Sequence, residues 1–127
     1  MRRTDQRRAA VVALYQSDLT ERPAPGLIEV TARPFTRELV EGVERDREQV
    51  DALIERYAED WTLDRIAPLE RSILRVALHE LLHRPDIPAE VAIDEAVEAA
   101  KELCGVQAPG FVNGILGAVQ RSEMAAQ

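Results

Sequence analysis

Apolar residues recur along this chain at spacings of three and four, and glycine and proline interrupt the pattern only at wide intervals. The pattern predicts about five to seven helices and no strands. The first is expected from about Thr4 to Leu19, with Val12, Tyr15 and Leu19 forming one apolar stripe and Val11 and Leu14 beside it. The segment Arg22-Pro23-Ala24-Pro25-Gly26 reads as a loop, followed by a short, weak helical piece near Leu27–Thr31. Pro34 is placed to open the next helix, whose apolar positions Leu39, Val43, Val50, Ile54, Tyr57 and Trp61 fall three, four or seven residues apart. Gly42 is its weak point, because glycine inside a helix costs ~1 kcal/mol relative to alanine.

Thr62 is placed to cap a short turn, Leu63 to Ala67, before a helix that Pro68 opens. Leu69, Ile73, Leu74, Val76, Ala77, Leu78, Leu81 and Leu82 crowd most sides of that helix, so it belongs inside a bundle. Charges on it are costly unless paired or used. Pro85 and Pro88 bracket a tight connection to a helix over about Ala89–Cys104, which buries Ile93, Ala96, Val97, Ala100 and Leu103. Gly105 stands where a C-terminal cap belongs. The last helix is expected from about Pro109 to Ser122, with Gly114, Gly117 and Ala118 allowing a neighbour to approach closely. Residues 1–3 and 123–127 are expected to fray. The whole reads as an all-α, single-domain helical bundle over residues 1–127.

Composition narrows the setting. No uninterrupted apolar run approaches the ~18 residues of a membrane span, and no hydrophobic stretch follows the charged start as in a signal peptide. The lone Cys104 fits a reducing compartment, so the expected location is the cytoplasm. The net charge of −7 argues against nucleic acid, but its distribution does not. Arg2, Arg3, Arg7 and Arg8 face only Asp5 within the first eight residues, a balance of +3 on a body of −10. Arginines at a helix start hold phosphate well, and four such contacts to single-stranded RNA would give a salt slope of up to about −3, but the residues alone favour a solvated, disordered N-terminus.

Two further constellations carry chemistry. Phe111 follows Ala108-Pro109-Gly110 at a helix start, where it is either a core plug beneath the loop or a ring that stacks a splayed base. The residues alone favour the plug. His79-Glu80-Leu81-Leu82-His83 matches the H-E-x-x-H zinc peptidase signature. No third histidine exists, no strand is expected to hold a peptide substrate, and Pro85 ends the helix at once. This context argues against zinc catalysis, and neither a metal nor another cofactor is expected. No Gly-rich phosphate loop or activated nucleophile is found, so a non-enzymatic role is expected.

Several of these segments carry a family likeness: Leu69-Glu70-Arg71, Ile73-Leu74-Arg75, Ala77-Leu78, Glu80-Leu81, Asp86-Ile87-Pro88, Val91-Ala92-Ile93-Asp94-Glu95-Ala96 and Phe111-Val112-Asn113-Gly114. With Ala13-Leu14-Tyr15 after the arginine cluster, the chain resembles the transcription antitermination factor NusB family, most weakly between residues 20 and 50. The resemblance implies an adaptor that binds boxA-type single-stranded RNA together with ribosomal protein NusE. It would act on the RNA polymerase elongation complex at ribosomal RNA operons. It makes Arg2, Arg3, Arg7, Arg8, Arg75, Gln107 and Phe111 RNA-binding candidates, and Tyr15, Asp64 and Glu70 candidates for the NusE face. A homodimer is a further partner it implies. Family members often carry an acidic residue followed by serine where this chain has Gln107-Ala108, which alters the expected affinity for RNA. The alternatives are a helical protein-interaction module without RNA binding and, more remotely, the zinc peptidase.

Overall fold

A computed structural model describes residues 2–29, 32–59 and 61–124. Six α-helices carry the fold: α1 (Arg3–Thr20), α2 (Pro34–Arg45), α3 (Arg47–Tyr57), α4 (Pro68–His83), α5 (Ala89–Leu103) and α6 (Ala108–Val119). Short 3-10 turns stand at Ala24–Leu27 and Leu63–Arg65, and a π-helical turn, Gln120–Met124, extends α6. No strand occurs among the described residues, so the fold is all-α.

Helix α4 is the axis of the bundle. Pro68 opens it, and every residue from Ser72 to Leu81 is buried. It packs against α1, α2, α3, α5 and α6, which explains why apolar residues surround it. The polar residues buried within it are engaged: Ser72 Oγ donates to the Pro68 carbonyl at 3.0 Å, and Arg75, His79 and Glu80 bond residues outside the helix. On the next helix pair, Thr36 Oγ1 donates to the Gln6 carbonyl at 3.0 Å and ties α2 to α1.

Several expectations need correction. The helix expected from Pro34 to Trp61 is two, broken at Asp46 rather than Gly42. Gly42 is helical, and the His79 ring lies against it, so close that an added Cβ would fall 2.1 Å from His79 Cε1. The carboxylate of Asp46 turns into α4 to meet His79, and α3 ends at Tyr57, before Trp61. Helix α1 buries Ala10, Val11, Ala13 and Leu14, leaving Val12 and Leu19 exposed; α4 and α2 pack against the other of its two apolar stripes. Leu103 is likewise exposed, with Ala92 and Ala99 buried instead.

At the turns, the 3-10 piece forms at Ala24–Leu27, inside the expected loop, while Val30 and Thr31 lie outside the described residues. Gly105 does not adopt the left-handed cap conformation; α5 ends in extended backbone at Cys104. Gly114 approaches no neighbouring element, and Gly117 faces the Arg121 guanidinium. The expected fraying also shortens. Arg3 already belongs to α1, and Glu123 accepts a hydrogen bond from Tyr57 Oη at 2.5 Å. Met1 and residues 125–127 lie outside the described residues.

Candidate nucleic-acid interface

The four arginines of the opening segment divide by environment. Arg2 and Arg3 are exposed. Arg2 lies 3.6 Å from Asp5, and the Arg3 guanidinium sits 4.3 Å from the centroid of the buried Phe35 ring, a cation–π distance. Arg7 and Arg84 approach the same ring at 5.3 Å. Arg7 is buried, and its Nε and Nη2 donate to Glu80 of α4 at 2.7–3.0 Å. Arg8 donates to Glu102 of α5 at 2.9 Å and approaches Glu95 at 3.8 Å.

The arm is therefore less available than its charge suggests. Arg7 cannot turn to phosphate without stranding Glu80 in the interior, which costs ~3–5 kcal/mol. Arg8 is held by α5 carboxylates, so Arg2 and Arg3 carry the outward-facing charge of this segment. Arg75 is also reassigned to the interior. Its Nε and Nη2 donate to both carboxylate oxygens of Asp51 at 2.8 and 3.1 Å, and its Nη1 donates to Asp18 at 2.8 Å. Burial opposes its charge, but the bonds and charges of Asp51 and Asp18 outweigh that and raise its pKa.

Gln107 and Phe111 come together at the start of α6. Gln107 is exposed, while Phe111 is half-buried and meets Trp61 edge to face, with centroids 6.4 Å apart and planes at 78°. Trp61 stands just past α3, and 50% of it is exposed. Trp61, Arg65, Glu70, Gln107 and Phe111 line a cleft of about 380 Å³. Beyond the two rings lies a second cleft of about 350 Å³, bordered by Tyr57, Gly110, Gly114 and Arg121. Burial raises the Glu70 pKa, and burial together with the Glu70 charge raises that of the nearby Cys104 thiol.

The H-E-x-x-H segment builds a joint between helices. His79 Nδ1 lies 3.2 Å from Asp46 Oδ2, and His83 Nε2 lies 3.4 Å from the same oxygen and 2.7 Å from Gln49 Oε1. Glu80, the base such a peptidase would need, is bound by Arg7. Among the described residues, no group of three metal-ligating side chains is placed to hold an ion.

The NusB family profile matches residues 4–121. The chain belongs to the NusB family. It is 43% identical to the transcription antitermination protein NusB of Rubrobacter xylanophilus, over 91% of this chain and 88% of that one. It is 40% identical to the Myxococcus xanthus NusB, over 93% of each. Among solved structures it is similar to T. maritima NusB with a TM-score of 0.89 and 33% identity, covering 96% of this chain and 92% of that one. It also matches a chain from a complex of the antitermination factors NusB and NusE with double-stranded RNA, with a TM-score of 0.84 and 25% identity, covering 94% and 96%.

Within this NusB-family fold, the residues expected to meet a protein partner gather around the first half of α4. Arg71 Nη1 donates to the Leu63 and Ile66 carbonyls at 3.0 and 3.1 Å, tying the turn that carries Asp64 to the start of α4 near Glu70. Asp64 is exposed, and the Thr62 hydroxyl that donates to it at 2.6 Å holds its carboxyl below the usual range. Tyr15 is half-buried on α1, one turn before Asp18, which lies 3.5 Å from Arg71.

The two RNA candidate groups are separate stations. Arg7 marks the Glu80 end of α4 and Phe111 the Glu70 end, ten residues and so about 15 Å apart along the helix. Helix α5 links them, since Arg8 holds Glu102 shortly before the loop to Gln107. Trp61 and Arg65 line the cleft but were absent from the expected site. The available signal was a sole tryptophan directly before the Thr62 turn, which its spacing from Tyr57 assigned to a continuous helical stripe.

Proposed function

We propose that this chain is a single-domain adaptor of transcription antitermination, without catalytic activity of its own. Together with ribosomal protein NusE it binds boxA-type single-stranded RNA in the cytoplasm and acts on RNA polymerase at ribosomal RNA operons. The observation that carries this reading is family membership over residues 4–121, supported by the fold shared with the NusB–NusE–RNA complex. That complex holds double-stranded RNA. The open aromatic cleft favours a single strand here, because stacking on protein rings requires bases that are already splayed. An acidic body, −7 overall, suits a basic ribosomal protein. Arg2 and Arg3 hold phosphates, Gln107 and Phe111 contact bases, and Tyr15, Asp64 and Glu70 face NusE.

The burial of Arg7 and Arg75 favours a second reading, a protein-interaction module without RNA binding. One titration separates the two. RNA carrying boxA should shift in mobility with the chain and NusE together, and less with either alone. NusE binding with no RNA shift under any of these conditions would leave the second reading standing.

A further inference from the structure

We propose that Trp61 and Phe111 form an aromatic wedge that holds apart two neighbouring bases of single-stranded RNA, one in each flanking cleft. This rests on the RNA reading above and gives it a defined contact. Both rings border both clefts, and their near-perpendicular planes turn their faces in different directions. Trp61 is the sole tryptophan of the chain, and half of it remains in water, although large aromatic rings are usually well buried. Such a ring is a stacking platform for any base.

The second cleft has a bare floor. An added Cβ at Gly110 or Gly114 would meet nothing within 4 Å, although glycine weakens a helix and no neighbour in the chain demands it. A flat base or ribose could therefore lie directly against the α6 backbone. Arg65 borders the first cleft and the exposed Arg121 the second, each placed for a phosphate. Glu59 stands in the second cleft as a hydrogen-bond acceptor. Carboxylates pair with exocyclic amino groups, as with cytosine N4, so that cleft favours an amino-bearing base.

Because Trp61 is the sole tryptophan of the chain, its emission reports the wedge directly. Titration with single-stranded boxA-type RNA is expected to quench that emission, and a duplex of the same sequence to leave it unchanged. Trp61→Ala should lower RNA affinity by about 5- to 160-fold, the range of one base–aromatic stack, while Trp61→Phe retains most of it. Gly114→Leu should weaken RNA binding without lowering the thermal midpoint, since its side chain enters open space. RNA bound with unchanged emission and unchanged Trp61→Ala affinity would overturn the wedge while the RNA reading stands. Loss of NusE affinity with RNA affinity intact would assign the cleft to the protein partner and equally overturn it. No RNA binding by the wild-type chain with NusE would sink both.

Discussion

Arg7 and Glu80, 73 positions apart in the chain, form a doubly hydrogen-bonded ion pair with side chains only 6% and 1% exposed. The pair clamps the start of α1 onto the end of α4 and sets where the exposed Arg3 stands. Arg7→Ala is expected to destabilise the fold by ~3–5 kcal/mol, because it leaves a buried carboxylate without a partner. Replacing both residues with apolar ones of similar volume should recover most of that loss. Urea midpoints of the single and double variants provide the check. A loss for Arg7→Ala no larger than that of a surface substitution would remove the clamp. Any effect of Arg7 substitutions on RNA binding must therefore be read only after the fold is shown to be intact.

Gly42 and His79 give a prediction in which the sign decides. In an open helical position Gly42→Ala would stabilise by ~1 kcal/mol. Here the new Cβ would fall 2.1 Å from His79 Cε1 and 2.4 Å from Nε2, so the ring must move and strain its bond to Asp46. The expected outcome is a loss of ~1–3 kcal/mol, as for other overpacked cores. Adding His79→Ala should restore part of it. A thermal midpoint raised by Gly42→Ala alone would contradict the contact.

The same joint sets a pH dependence. Burial pushes the His79 imidazole below its ordinary pKa against the opposing bond and charge of Asp46, while the charges of His83 and Arg45 lower it further. An unfolded histidine titrates near ~6.5, so below that pH the unfolded chain takes up a proton that the folded chain refuses. Stability is therefore full above about pH 6.5 and declines as the pH falls toward the lower folded value. Burial acts to raise the Asp46 pKa, but its bonds to Arg45 and His79 and the charge of His83 outweigh it. The Asp46 contribution persists above about pH 3.9 and is lost only in stronger acid. Denaturation between about pH 8 and pH 5 should show the first decline, flattened in His79→Leu. Equal slopes in the two proteins would remove His79 as its source.

The helices whose signals were local were legible in the sequence. Pro68 and the all-round apolar pattern behind it marked α4, its extent and its central place. What escaped depended on partners distant in the chain. Asp46 breaks α2 from α3 where its carboxylate meets His79 and His83, and nothing in the neighbouring residues announces a stop. The choice between the two stripes of α1 belonged to α4 and α2. The N-terminal arginines read as solvent-facing because Glu80 and Glu102 lie in helices far downstream. For the site, Gln107 and Phe111 were legible as a helix start beside a loop, whereas Trp61 joins them only through the fold.

The arm itself makes a quantitative claim about salt. If RNA phosphates meet the outward-facing arginines of the opening segment, Arg2 and Arg3 supply at most two contacts. Each contact to a single strand contributes about −0.7 to the log–log slope of affinity against salt, so the pair contributes about −1.4 rather than the −3 that four arginines suggest. Arg2→Ala with Arg3→Ala should therefore flatten the slope by about 1.4 and weaken binding most at low salt. Arg8→Ala should change the slope far less, because that guanidinium is already neutralised by Glu102 and Glu95. Removing those carboxylates with Glu95→Gln and Glu102→Gln should instead free Arg8 and steepen the slope toward three contacts. A slope unchanged by the Arg2 and Arg3 substitutions would move the phosphate track away from α1 and toward the arginines beside the aromatic clefts.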